Sequence, residues 1–163
     1  MVSLRLVRLL ETYPDEIATN LATKVQKSAR MMDVQGIPKF ELPIVVRDLL
    51  QHLREWLLNH SKTEIEAHYR EMGARLARQE VATAEACRIV VITKQHLWRF
   101  LQEQVLPNPI ELYGEMELLW VLSQFFDRAL CCIVEGYEQN GFVARSQPEH
   151  SEVTLSDLAN LVP

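Results

Sequence analysis

The chain has 163 residues, 48% of them apolar, and a formal net charge of −5. That is room for one domain with a real core and tight for two. The acidic balance argues against a nucleic-acid binder, which needs a basic face to neutralise phosphates. No run of about 18 apolar residues offers a membrane span.

The start, Met1-Val2-Ser3-Leu4-Arg5-Leu6, puts charge where the apolar core of a secretory signal would run. The first predicted helix covers Leu4 to Tyr13, with Leu6, Leu9, Leu10 and Tyr13 on one face. Pro14 interrupts it, and Pro14-Asp15-Glu16 reads as a fresh start with proline and acids in the first turn. Ile17, Leu21 and Val25 follow at four-residue steps toward Arg30. Asp33 to Lys39, with Gly36 and Pro38, reads as a loop.

The third helix is expected from Glu41, tolerates Pro43 in its first turn, and ends near Asn59-His60. Val45, Leu49, Leu53, Trp56 and Leu57 form its buried stripe. Ser61-Lys62-Thr63-Glu64 is a capping-box pattern, opening a helix whose apolar face is Ile65, Tyr69, Met72 and Leu76. A break falls at Glu80 to Thr83, with Thr83 as the expected cap. A fifth helix carries Cys87, Val90, Val91, Leu97, Trp98 and Leu101 toward Val105, and Pro107-Asn108-Pro109 stops it.

The longest helix is expected from about Pro109 to Gly141. Leu112, Met116, Leu119, Leu122, Phe126, Leu130, Ile133 and Tyr137 trace its stripe over roughly 45 Å. Asn140-Gly141 reads as its end. Phe142 to Ser151 is a polar tail or linker, and Thr154-Leu155-Ser156-Asp157 could cap a short terminal helix. The expected domain is 1–141, followed by a tail at 142–163. The fold class is all-α, a single compact bundle of about six helices in a globin-like or up-down arrangement, since the apolar stripes are wider than a two-stranded seam requires.

Chemistry-bearing patterns are sparse. Cys87, Cys131 and Cys132 are an odd set with two adjacent, which suits small buried hydrophobes in a reducing, cytoplasmic compartment better than a disulfide framework. No two of His52, His60, His68, His96 and His150 have the one-face helical spacing of a metal pair, so no metal ligand is assigned. There is no phosphate-binding glycine loop and no nucleophile elbow. Ala67-His68-Tyr69-Arg70-Glu71-Met72-Gly73 resembles a histidine phosphotransfer segment, but Glu71 and Met72 occupy the places of its lysine and glycine. A haem held by one histidine would use His68 or His96, and a satisfied core or surface histidine is the simpler reading. No cofactor is assigned, and no catalytic residue. Aromatics at helical spacing are most simply core. If the bundle holds a pocket or an interface, Tyr69, His96, Trp98, Trp120, Phe126 and Tyr137 are the candidate residues.

Two stretches carry a family resemblance. One is Tyr69-Arg70-Glu71-Met72-Gly73-Ala74-Arg75-Leu76-Ala77-Arg78-Gln79-Glu80-Val81, with Glu85-Ala86-Cys87-Arg88-Ile89-Val90 and Leu97-Trp98-Arg99-Phe100-Leu101. The other is Phe125-Phe126-Asp127-Arg128-Ala129-Leu130, followed by Ile133-Val134-Glu135-Gly136-Tyr137. Together they resemble the N-terminal input domains of stressosome-type co-antagonists, the RsbR/RsbRD class, over about residues 4 to 140. Similar domains precede histidine kinase modules. Glu80 departs from the pattern, because the family commonly has glycine there.

The resemblance implies a helical, often dimeric sensory module, generally without haem and without catalytic residues to carry over. Asp127, Arg128, Glu135 and Tyr137 match positions with a structural role. Asp127 and Arg128 are adjacent, so at most one is expected to point into an interface. The expected partners are a second copy, docked through the exposed side of the last helix, and an output domain in the same chain or a signalling protein. The alternatives are a small-molecule sensor with an internal pocket and, last, a histidine phosphotransfer domain.

Overall fold

The computed structural model describes residues 2–31, 41–58, 62–104 and 112–146. Among them are six helices and no strand: α1 (Val2–Thr12), α2 (Pro14–Met31), α3 (Leu42–Leu57), α4 (Lys62–Arg78), α5 (Thr83–Gln104) and α6 (Leu112–Ser146). The expected loop at 33–39, the cap at Ser61, the Pro107–Pro109 stop and the terminal helix at Thr154 lie outside the described residues.

Pro14 cannot donate a backbone hydrogen bond, so the first two helices meet at a bend on Tyr13. The ladder is carried across it by Tyr13 N–H to the Leu9 carbonyl and Ile17 N–H to the Tyr13 carbonyl, both 3.1 Å. Tyr13 itself faces solvent, contrary to its expected place on the apolar face, because the bend turns it away from Leu6 and Leu10.

The helices close into a ring. α4 packs most extensively on α6, α6 on α5, α5 on α2, and α2 on α3, while α1 fills the space against α3 and α6. Consecutive helices do not always neighbour one another, as they would in an up-and-down bundle. α4 makes its main contact with α6, two helices further along the chain.

Two glycines permit that contact. A Cβ on Gly73 would stand 2.0 Å from the Ile133 carbonyl oxygen, and one on Gly136 would stand 2.0 Å from the Arg70 carbonyl oxygen. Real Cβ atoms do not approach backbone so closely, so α4 and α6 cross backbone to backbone at these two points. Mid-helix glycine costs about 1 kcal/mol relative to alanine, which the close approach must offset.

The break after α4 is a Schellman turn built on a residue other than glycine. Glu80 has φ 58°, in the left-handed region. Val81 N–H reaches the Leu76 carbonyl and Glu80 N–H reaches the Ala77 carbonyl, each at 3.1 Å. Leu76 and Val81 are both buried, supplying the apolar clasp of the motif. The position where the family favours glycine is therefore one whose backbone conformation favours it. Thr83 is the first residue of α5 rather than its cap, since the Ala82 carbonyl accepts from Glu85 and Ala86.

α6 departs from expectation at both ends of its stripe. It runs on through Gly141 to Ser146, with Gly141 itself helical and open space where its side chain would be. Among the described residues ahead of Leu122 the buried one is Leu118, and Met116 and Leu119 are exposed. The core face is Leu118, Leu122, Phe125, Phe126, Ala129, Cys132, Ile133 and Gly136. On α5, Val91 is exposed, while the expected Val90, Leu97 and Leu101 are buried and are joined in the core by Ala86, Ile89 and Ile92. The remaining stripes lie where the 3.6-residue period puts them.

Candidate functional site

The candidate residues do not gather in one pocket. Tyr69 is fully buried and meets Phe125 edge-on at 6.1 Å between centroids, and Phe125 meets Phe126 at 5.2 Å. Tyr69 and Phe126 thus join one aromatic cluster, with Trp56 against Phe125 at 5.9 Å. Trp98 packs partly buried against the core. His96 is on the α2 side, where its Nε2 lies 2.7 Å from the Ser28 hydroxyl. Burial, with Arg99 and Lys24 nearby, lowers its pKa. Tyr137 donates its hydroxyl to the Val81 carbonyl at 3.0 Å, tying the Schellman turn to α6. Trp120 is 65% exposed.

Trp120 belongs to the first of two features with functional potential. Met116, Leu119 and Trp120 stand at i, i+3 and i+4 on one side of α6, and all three are exposed. They form an apolar strip on the helix whose opposite face, Leu118, Leu122, Phe125 and Phe126 among others, is buried in the bundle. Asp127 pairs with Lys94 of α5 at 2.9 Å, and Arg128 pairs with Glu66 of α4 at 2.7 Å. The adjacent residues therefore point to different neighbours, as their angular separation demands, and both neighbours are in this chain. Arg70 extends the α4–α6 ladder, donating to Glu135 at 2.6 Å and approaching Glu66 at 3.6 Å. Glu66 holds the pKa of Arg128 above its ordinary value, and the same pairing lowers the pKa of Glu66.

The second feature is a polar cluster between α3 and α4. Asp48 and His52 are one turn apart on α3, and His68 and Tyr69 come from α4. His52 donates Nδ1–H to the Asp48 backbone carbonyl at 2.9 Å, and the same nitrogen is 3.4 Å from Asp48 Oδ1. His68 Nε2 is 2.8 Å from that Oδ1, though not aligned for a hydrogen bond. The two imidazoles stack at 4.3 Å between centroids. Tyr69 presents its ring edge-on to both, at 5.5 and 5.2 Å.

Burial alone would push the Asp48 carboxyl up, but the two histidines together outweigh it and hold its pKa at about 2. Burial works against protonation of His52, yet Asp48 raises its pKa overall. Burial, reinforced by the Asp48 charge, pushes the Tyr69 phenol well up. Asp48 Oδ2 and Tyr69 Oη are buried with no hydrogen-bond partner. Ligand atoms of Asp48, His52 and His68 all lie within 4.8 Å of one another.

Sequence spacing missed this cluster because its histidines belong to different helices. Asp48 and His52 do stand at i and i+4, and a search that admitted carboxylates would have found that half. The clefts beside these features are open. One of about 250 Å³ is lined by Ile44, Val45, Asp48, His68, Met72 and Arg75, among others, and reaches the cluster. Another of about 230 Å³ lies between α2 and α3, lined by Ala18, Arg47, Leu50 and Arg54, among others.

Among the described residues, no helix is long and apolar enough to cross a membrane. The family model described as "RsbT co-antagonist protein rsbRD N-terminal domain" matches residues 5–141. No curated protein and no solved structure matches the chain.

Proposed function

Because the chain belongs to the RsbT co-antagonist protein RsbRD N-terminal domain family, a stressosome-type regulatory and non-catalytic domain family, we propose that it acts as a dimerising sensory input domain of a bacterial signalling protein. The observation that carries the dimer is the exposed strip Met116, Leu119 and Trp120. A contiguous apolar strip left in water is the kind of surface that proteins use for interaction. It lies on a helix of 35 residues, about 52 Å long, which also bears the main internal crossing with α4.

A two-fold contact would bring the strips of two copies together. Covering two Trp120 side chains withdraws roughly 200–300 Å² of largely apolar surface, on the order of 5–8 kcal/mol before association entropy is met. The expectation follows that a shift of α6 in the dimer is passed to an output domain, in this chain or in a partner protein. A stressosome co-antagonist or a sensor histidine kinase would both use such an input. The internal-pocket alternative draws less support, since the clefts described above open to solvent at helix junctions.

Sedimentation velocity tests this directly. Expected is a dimer at tens of micromolar that becomes a folded monomer with Trp120→Glu. A strict monomer at several hundred micromolar sinks the reading, and so does a dimer indifferent to that substitution.

A further inference from the structure

We propose that Asp48, His52 and His68 form a binding site for one divalent transition-metal ion of the Zn²⁺ type, with Tyr69 backing the carboxylate and the α3–α4 cleft giving access. The donor set is two imidazoles and one carboxylate. That mixture of nitrogen and oxygen suits Zn²⁺, Co²⁺, Ni²⁺ or Fe²⁺, whereas Ca²⁺ and Mg²⁺ take oxygen ligands. The site is metal-sized. Two ligands each 2.0–2.1 Å from a tetrahedral ion are about 3.3 Å apart. His52 Nδ1 to Asp48 Oδ1 is 3.4 Å, and His68 Nε2 to Oδ1 is 2.8 Å. Only the second distance needs to open, by about half an ångström.

The unpaired atoms give an independent reason for a cation here. Asp48 Oδ2 and Tyr69 Oη are enclosed and have no hydrogen-bond partner, and Tyr69 is fully buried. An unmet buried polar group costs about 1–3 kcal/mol. A metal ion on the carboxylate would satisfy Asp48, and the phenol could then donate to the carboxylate oxygen left outside the coordination shell. The two imidazoles stack at 4.3 Å between centroids, which keeps both rings at the same side of the carboxylate.

His52 Nδ1 also lies 2.9 Å from the Asp48 backbone carbonyl, so to bind the ion the ring takes the Nε2–H tautomer and exchanges that hydrogen bond for the metal. Three protein ligands leave a further coordination position for water or a small anion. Arg75 lines the adjoining cleft. The ion would also clamp α3 to α4, which approach each other little elsewhere. This site does not depend on the dimer reading, since a monomer that binds metal removes that reading and leaves this one standing.

The test is a titration of the full chain, kept reduced by a phosphine, with Co²⁺ and then Zn²⁺. Expected is one equivalent bound at micromolar free metal, with visible d–d bands and no thiolate charge-transfer bands, which excludes Cys87, Cys131 and Cys132 as ligands. Asp48→Asn and His68→Gln should each weaken binding by about 100-fold or more, while His96→Gln leaves it unchanged. Zn²⁺ at a hundred-fold excess over its dissociation constant should raise Tm by about 5–10 °C, reversed by chelator. If a variant fails to fold by circular dichroism, His52→Gln and the chelator-reversible shift decide. No saturable binding below a millimolar, thiolate bands, or binding indifferent to these substitutions would overturn the proposal.

Discussion

Replacing Glu80 with glycine removes the side chain of a residue held at φ 58° and takes away no described contact, since Glu80 is exposed. An L-residue in the left-handed region carries roughly 1–2 kcal/mol of strain that glycine does not. Glycine returns part of this, because its unfolded chain has more conformations to lose, about 0.5–1 kcal/mol. Glu80→Gly should therefore stabilise the chain by about 0.5–1 kcal/mol. In a chain of this length each kcal/mol moves Tm by about 2–4 °C.

Urea unfolding followed by circular dichroism reads the effect as a higher midpoint with an unchanged slope. Glu80→Val supplies the opposite arm, because a β-branched residue is disfavoured at positive φ. Its midpoint should fall. A Glu80→Gly midpoint equal to or below that of the parent protein would refute the reasoning, showing that the Schellman turn is not strained or that unfolded-state entropy dominates.

Gly73→Ala and Gly136→Ala should each cost 3 kcal/mol or more, since a Cβ 2.0 Å from a backbone oxygen must push α4 and α6 apart. A loss below 1 kcal/mol in urea unfolding would contradict the close crossing. Gly141→Ala, with open space around it and a helical backbone, should instead stabilise by about 0.5–1 kcal/mol, read by the same assay. Tyr137→Phe removes the hydrogen bond to the Val81 carbonyl and should cost about 1 kcal/mol by thermal denaturation.

The phenol of Tyr137 is raised to about 12, chiefly by burial, with Cys87 and Glu85 adding to it. Its folded value exceeds its unfolded value, so its contribution is complete below pH 10 and is lost as pH rises toward 12. Absorbance titration should show a tyrosine ionising at about 12 that Tyr137→Phe removes, separate from the raised phenol of Tyr69.

Much of the fold was legible along the chain because a helix is a local object. Pro14, the Pro14-Asp15-Glu16 start and the break at Glu80 mark where the backbone ladder must stop or restart. Apolar steps of three and four residues identify the inner faces of α2, α3 and α4. Phase was lost where the signal saturates. Leu118-Leu119-Trp120-Val121-Leu122 is apolar on every side, so periodicity could not tell that Leu118 turns inward and Trp120 outward. Asn140-Gly141 reads as a stop, yet glycine only permits a helix to end, and this one continues to Ser146.

What the sequence alone determined is the helical class, most of the breaks and the family, all written in short-range pattern. Which helices touch was decided only by the tertiary structure. Gly73 and Gly136 gain meaning when α4 and α6 cross, because a missing side chain matters only where another backbone arrives. Asp48, His52 and His68 become one cluster only when α3 lies beside α4. No spacing along the chain encodes that meeting, since it follows from how all six apolar faces together exclude water.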